Sequence, residues 1–478
     1  VAAWNDFRAF VDAGFDAAVA RLAQAARMRR PDLPIGLLGG AMPAVFGGND
    51  WERLAPRCDV LEVYDHGAAR LLAGSFAAPR TRFLHTLVAG EPKDDLRLRH
   101  ALWRKSLRGD VATVLFSASS FGDAGDPRRP GPRAAALAED LRLLQTPAWE
   151  AWRRATPETP EVLIWYSADA LRLNWLADVR ADGASWFDRL SSYEQAHNRD
   201  ALAREAWVAL CEDLGLSAVF VDGPRLRERT LAAAQASVLV LPRVSALSDA
   251  DAKEIERFAE RGFVIADARL GLCDARCHPR AEAALDRVFG LRRSVAGFAA
   301  LLGRRGDGSA APDPGLQATE AFPERRTPDA DGRFIRRTGG VRTLYLNEEI
   351  GDYVAARLTA PDRAADIRNA VRPHLAALLA RRRVKAAAAP GAPPWPIAVH
   401  LRRDGETLWC AVEVSPATGD REIAWDELAR TPIVPVRLRL QGVHQIRDLH
   451  KGTDLGELAE VEVFPEVGRP VLLQLKKT

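Results

Sequence analysis

The sequence predicts an α/β fold: four consecutive β/α units, forming a partial (β/α)8 barrel, then a doubly wound α/β domain, then a small antiparallel β-sandwich. Three observations carry this. Four short apolar runs in the first 120 residues each end in small, polar or ionisable residues. Runs of that kind, bounded by turn signals, read as buried parallel strands. A second set of apolar runs, after residue 160, alternates with helical stretches in the doubly wound manner. Past residue 395, strand-like runs follow one another with no helical stretch between them.

In chain order, Asn5 or Asp6 is expected to cap a first helix whose apolar positions Phe7, Phe10, Val11, Phe15, Val19 and Leu22 recur at helical spacing. Pro31 ends it. The four strands are Pro34–Gly40, Asp59–Asp65, Arg82–Gly90 and Val111–Ser119. Asp94 and Asp95 open another helix that closes at Gly109, and Arg133–Leu144 gives a last amphipathic helix. Four such units are half of an eight-stranded barrel, whose chemistry sits at the C-terminal strand ends. An open half-barrel exposes two strand edges, and the chain begins with Val1 rather than Met. The expectation is therefore the C-terminal part of a longer enzyme, with part of the active site lying elsewhere.

The first segment, 1–158, closes at Thr156-Pro-Glu-Thr-Pro160. The second, 159–383, has strands at Glu161–Tyr166, Leu216–Asp222, Ser237–Pro242, Gly262–Asp267 and Arg342–Asn347, with helices near 248–261 and 364–381. Its tryptophans, Trp165, Trp175, Trp186 and Trp207, read as core and interface packing. Asp307–Arg326 reads as a surface loop. The third segment, 384–478, opens on a linker-like Ala386–Pro394 stretch and continues with strands at 397–401, 407–414, 434–440 and 471–475.

With 478 residues, 47% of them apolar, the chain is long enough for about three domains with sizeable cores. A net charge of +3, with scattered basic residues, excludes a nucleic-acid surface, and Arg381–Arg383 reads as a solvated helix end. No apolar stretch approaches the roughly 20 residues that span a bilayer, so no membrane partner is expected. No leader is legible, and location stays undetermined. The five cysteines do not form a disulfide framework. Cys273-Asp-Ala-Arg-Cys277-His278 holds three potential ligands, one short of a closed zinc site, and reads as free thiols near a loop.

Trp4-Asn-Asp-Phe-Arg-Ala-Phe10, Arg30-Pro-Asp-Leu-Pro-Ile-Gly36 and Asp59-Val-Leu-Glu-Val-Tyr-Asp65 together resemble the second half of a glycoside hydrolase family 42 barrel, that of β-galactosidase-like enzymes. The stretches Val238–Asp249 and Phe258–Arg269 resemble that family's trimerisation domain, which has the class I glutamine amidotransferase fold. Ile446–Gly456 resembles a turn in the C-terminal β-sandwich of many glycosidases, serving either carbohydrate binding or packing. The resemblance implies that the four runs are strands five to eight. It further implies a carbohydrate substrate, hydrolysis of β-galactosides or related glycosides by double displacement, no metal or organic cofactor, and a homo-oligomer, with a trimer among the expected forms. Amidotransferase chemistry is excluded, because it needs a Cys on a tight strand-to-helix turn and no cysteine follows a strand in a Gly-flanked elbow.

Retaining glycosidases use two carboxyl groups. The resemblance puts the nucleophile at the end of strand seven, where this chain has His85 and Thr86, with Glu91 on the following loop. Strand six supplies Glu62 inside an apolar run, where an ionised group is costly unless paired or facing a polar cavity. Glu62 reads either as a nucleophile or sugar-binding carboxylate or as a structural Glu satisfied inside the barrel, with Tyr64, Asp65 and His66 as neighbours. Asp65 is a second catalytic candidate or a helix cap. Substrate contacts are expected from Tyr64, from Trp51, Phe46, Asn49 and Asp50 on the long loop after the first strand, from His85, and from Phe116 at the end of the fourth strand. The alternative function is a catalytically inactive carbohydrate-binding or assembly protein on the same fold.

Overall fold

The structure is a computed structural model and describes residues 1–46, 48–89, 95–126, 128–179, 183–184, 198–293, 316–318, 326–328, 334–337, 341–389, 395–415 and 433–478. Glu91, Trp186, most of the 307–326 stretch and residues 390–394 lie outside them.

Strands β1 (Gly36–Gly40), β2 (Val60–Val63), β3 (Arg82–Val88) and β4 (Ala112–Phe116) pair in sequence order as one parallel sheet. Helix α1 (Ala2–Arg29) precedes β1, and α2 (Trp51–Leu54), α3 (Ala69–Phe76) and α4 (Asp95–Leu107) follow β1, β2 and β3 in turn. Side chains alternate across each strand. Leu61, Val63, Phe83 and Leu87 enter apolar cores on one face, while Leu38, Val88, Val114 and Phe116 stand exposed on the other. Among the described residues, β1 and β4 each lack a second strand neighbour.

At Gly40 a Cβ would stand 2.4 Å from Cη2 of Trp51, whose ring crosses β1 at that point. Gly40→Ala is expected to cost about 1–3 kcal/mol by overpacking, read as a lower urea midpoint. An unchanged midpoint would show that the indole shifts freely.

Helix α1 corrects the sequence reading. It starts at Ala2 with no side-chain cap, so Asn5 and Asp6 lie inside it. Its buried stripe is Asn5, Arg8, Asp12, Asp16, Val19 and Ala23, whereas Phe7, Phe10, Phe15 and Leu22 face solvent. Polar partners secure the inner face: Arg172 donates to Asp12 at 2.6 Å, Asn5 to Asp169 at 3.2 Å, and Arg8 to the Val45 carbonyl at 2.8 Å. Most of the helix's apolar face is thus exposed among the described residues, with Val19 buried.

After the two-residue β5 (Thr156–Pro157) come β6 (Val162–Trp165), β7 (Ala218–Val221), β8 (Val238–Leu241) and β9 (Phe263–Ala266). A ribbon of β10 (Leu291–Arg293) and β11 (Leu316–Ala318) stands apart, and β12 (Arg326–Pro328), β13 (Phe334–Arg337) and β14 (Thr343–Leu346) complete the second sheet. The order β12-β13-β14-β9-β8-β6-β7, with the last five strands parallel, is doubly wound about the β6–β8 border. The first and second segments share one core: Trp51, Leu61 and Phe83 pack in the same cluster as Ile164, Trp207, Phe220 and Leu344.

The third segment contains β15 (Val384–Ala388), β16 (Ile397–Asp404), β17 (Thr407–Val414), β18 (Val436–Asp448), β19 (Thr453–Val463) and β20 (Val471–Lys477). These antiparallel strands are hydrogen-bonded, with β5, into one sheet in the order β15-β18-β20-β17-β16-β5, and β19 pairs with β18. The expected sandwich of short strands is thus a single sheet built on a long hairpin. A register shift between Arg439 and His444 divides β18 into a half that pairs with β15 and a half that pairs with β20. The Ala-rich stretch read as a linker begins inside β15.

Candidate functional site

Glu62 lies on β2 between Leu61 and Val63, which both enter the helix-side core, so alternation turns it to the opposite, inner face of the sheet. Only 4% of it is exposed. Its Oε2 accepts from the backbone N–H of Gly39, and Oε1 is buried with no hydrogen-bond partner among the described residues. Gly39 has φ +72° at a register shift between β1 and β2, a conformation that favours glycine. That irregularity brings the Gly39 N–H to the carboxylate.

Asp65 is fully buried: Oδ1 accepts from the backbone N–H of Arg70 at 3.3 Å and Oδ2 from Nη1 of Arg108 at 2.8 Å. Both partners belong to the helix side of the sheet, so Asp65 is spent on an ion pair and does not join Glu62. Tyr64 is half-buried, and its backbone N–H continues the sheet to the Gly40 carbonyl at 2.8 Å.

His85 departs from its expected place. It falls on the helix side of β3 with Phe83 and Leu87, and is 1% exposed. Nδ1 lies 3.1 Å from Asp110 Oδ2, and Nε2 lies 3.0 Å from Thr113 Oγ1. Arg70 donates to the other oxygen of Asp110 at 2.6 Å and stacks on the Phe83 ring at 3.6 Å. Burial alone pushes the Asp110 carboxyl up; Arg70 and His85 outweigh it and hold it below the usual carboxylate range. The residues of β3 on the inner face are Arg82, Leu84, Thr86 and Val88.

The loop after β1 is fastened down. Trp51 is fully buried and donates through Nε1 to the Ala41 carbonyl at 3.0 Å, so it is core and not a stacking platform. Asp50 pairs with Arg53 at 3.0 Å, and burial raises its pKa. Asn49 is half-buried. Phe46 packs edge-on against Trp4 and Trp175, with ring centroids 6.5 and 5.2 Å away, and those two indoles stack at 5.7 Å. Phe116, 58% exposed, stays on the inner face beside Val88. The structure therefore gathers Glu62, Thr86, Val88 and Phe116 on the open face. It leaves Asp65, His85, Trp51 and Asp50 in packing or ion-pairing places. The Gly39 N–H escaped the sequence reading, which named Thr86 beside His85 without deciding which faces the site; side-chain parity along β3 from Phe83 selects Thr86.

Elsewhere, Arg243 follows β8 with φ +48° and is bound to Asp178 at 2.9 Å, where an amidotransferase would need its thiol. All five cysteines are buried and free. Among the described residues, no group of three His, Cys, Asp or Glu side chains is placed to hold a metal ion, and no helix is long and apolar enough to cross a membrane.

The four-stranded parallel sheet that carries Glu62 is thus joined to a doubly wound α/β unit and an antiparallel sheet. Among solved structures the chain is similar to the β-galactosidase from Bacillus circulans sp. alkalophilus, at 13% identity and TM-score 0.64 over 98% of this chain and 68% of that one. Gan42B, a GH42 β-galactosidase from G. stearothermophilus, matches at 12% identity and TM-score 0.62, over 99% of this chain and 68% of its own. The β-galactosidase from the Antarctic haloarchaeon Halorubrum lacusprofundi gives 12% identity and TM-score 0.58 at the same coverage, 99% and 68%. The fold is thus that of family 42 β-galactosidases. No protein-family model and no curated protein sequence matches the chain.

Proposed function

We propose that the chain carries one side of a retaining glycoside hydrolase barrel of β-galactosidase type, acting on β-galactosides or related glycosides. The observation that carries this reading is Glu62: a carboxylate on the inner face of the parallel sheet, near the C-terminal strand ends, with one oxygen held by Gly39 and the other without a partner among the described residues. In the double displacement, Oε1 of Glu62 attacks the anomeric carbon as the bond to the leaving oxygen breaks, and a second carboxylic acid protonates that oxygen. Water then attacks the same carbon, gives its proton to the second group, and frees Glu62.

That second carboxyl must stand roughly 5–5.5 Å from Glu62. The inner face of β3 presents Arg82, Leu84, Thr86 and Val88, so the group comes from four further β/α units that close the barrel. Two observations support this: the unpaired edges of β1 and β4, and solved neighbours about a third of whose length lies beyond the part this chain covers. Phe116 serves as a wall of the sugar site. The assembly is a homo-oligomer, a trimer by the resemblance of the second segment.

The test is hydrolysis of an aryl β-galactoside panel by the complete reading frame that holds this chain. Turnover supports the reading. A well-folded protein that turns over no glycoside would end it and favour the carbohydrate-binding alternative, to which the acid-free inner face of β3 lends weight.

A further inference from the structure

The first β/α unit is short of a helix. Between β1 and β2 the chain forms only the single turn of α2 and a 3-10 turn at Ala55–Arg57, where the next two units carry helices of 8 and 13 residues. The missing helix leaves a groove of about 850 Å³ between α1 and the α2 turn. Asp59 immediately precedes β2 and Arg80 lies two residues before β3, so the groove reaches the N-terminal strand ends, away from Glu62 and Phe116.

Four arginines line it: Arg27, Arg53, Arg57 and Arg80. Arg27 and Arg80 share one carboxylate, Asp59, at 2.5 and 2.9 Å. Arg57 pairs with Asp16, and Arg53 with Asp50. Three carboxylates thus face four guanidinium groups, an excess of one positive charge before Glu52 is counted. Arg53 and Arg80, with side chains 48% and 66% exposed, each engage only Nε, and their paired terminal nitrogens have no partner among the described residues. Ala20, Ala23 and Pro56 give the groove an apolar wall.

We propose that this groove binds a small organic oligoanion, a phosphate ester or polycarboxylate, through the free guanidinium edges of Arg53 and Arg80. Planar, permanently charged guanidinium groups with unused parallel N–H pairs match such oxyanions bidentately. The volume suits a molecule of metabolite size. Glu52, on the same wall, sets the pH range. Burial pushes its carboxyl up to about 7, with Asp222 and Asp50 adding to the effect and Arg53 and Arg225 opposing it. Below about pH 7 the groove keeps its excess positive charge, and above it the ionised Glu52 cancels that charge.

The experiment is calorimetric titration of the 478-residue chain with inorganic pyrophosphate and, separately, with citrate. One-to-one binding of at least one probe is expected, and the stronger of the two identifies the preferred oxyanion. Arg53→Gln with Arg80→Gln should weaken it at least about tenfold, since each charge-assisted pair is stronger than a neutral hydrogen bond. Arg80→Gln alone should leave thermal melting unchanged, because that side chain is exposed, whereas Arg53→Gln should lower it somewhat by removing the partner of the buried Asp50. Glu52→Gln should bind more tightly than the unaltered chain at pH 8 and remove the loss of affinity between about pH 6 and 8. Absence of binding by both probes, or affinity unmoved by the double replacement, would overturn the proposal. So would a Glu52→Gln variant that keeps the original pH dependence.

Discussion

Glu62→Gln should lower turnover of an aryl β-galactoside by at least about a thousandfold, a loss of about 4 kcal/mol in transition-state stabilisation. Gln keeps the volume and can still accept from Gly39 N–H, so the strand and its neighbours have no reason to move. The amide cannot form the glycosyl ester, so the loss falls on kcat and kcat/KM together. Glu62→Ala with added azide gives an independent signature. A small external nucleophile in the vacated space should restore part of the turnover and release a glycosyl azide of inverted anomeric configuration, because one displacement replaces two. A rise in KM with kcat intact would make Glu62 a sugar-binding carboxylate, and unchanged kinetics would remove it from the site.

Arg104→Met should destabilise the chain by about 3–5 kcal/mol, the usual cost of stranding buried charges. Arg104, on α4, joins all three segments. Its Nη1 donates to Glu413 at 2.9 Å and to Ser415 at 2.6 Å, and Nη2 to both oxygens of Glu212, at 2.8 and 2.7 Å. Methionine fills similar space and leaves Glu212 and Glu413 without that partner. The triple variant with Glu212→Gln and Glu413→Gln should recover more than half of the loss if charge burial is its cause.

Acid sharpens the test. Burial would push Glu413 up, but Arg104 and His400 outweigh it and hold the carboxyl at about 2. A folded pKa below the unfolded value of about 4.3 contributes stability above pH 4.3 that is lost as pH falls through about 2. The gap between the original chain and Arg104→Met should therefore narrow from about pH 5 to pH 2, because protonation relieves the stranded glutamates. Urea unfolding at several pH values reads this directly, and a gap independent of pH would place the cost in packing.

The parallel strands of the first two segments are legible because each is a continuous apolar run with turn residues at its ends: Asp59–Asp65 contains β2, and Gly262–Asp267 contains β9; the short β10 to β13 escaped, and β11 falls in the 307–326 stretch read as a loop. Helix α1 was legible as a helix but not in its orientation. Periodicity names the apolar face, and only tertiary contacts decide whether that face has a partner; here Asn5 and Asp12 turned inward to Asp169 and Arg172, more than a hundred residues away, and Arg8 to the Val45 carbonyl. Strand β19, Thr453–Val463, escaped because it is mostly exposed and alternates glutamates with small or apolar residues, leaving little apolar signal. At the site, Glu62 was visible as a charge in an apolar strand. His85 misled because chemical type drew attention where parity along β3 selects Thr86. The burial of Trp51 depends on Gly40 making room for its ring, which a linear reading does not register.

The cluster that joins Trp51, Leu61 and Phe83 to Ile164, Trp207 and Phe220 has a consequence for ancestry and engineering. A cut near residue 158, where the sequence suggests a seam, would strip both halves of their largest apolar contact and leave two insoluble fragments. Recombination that exchanges the barrel for a relative's must carry the doubly wound unit along as a single cassette. Differences fixed in one of these segments should then be answered by compensating differences in the other.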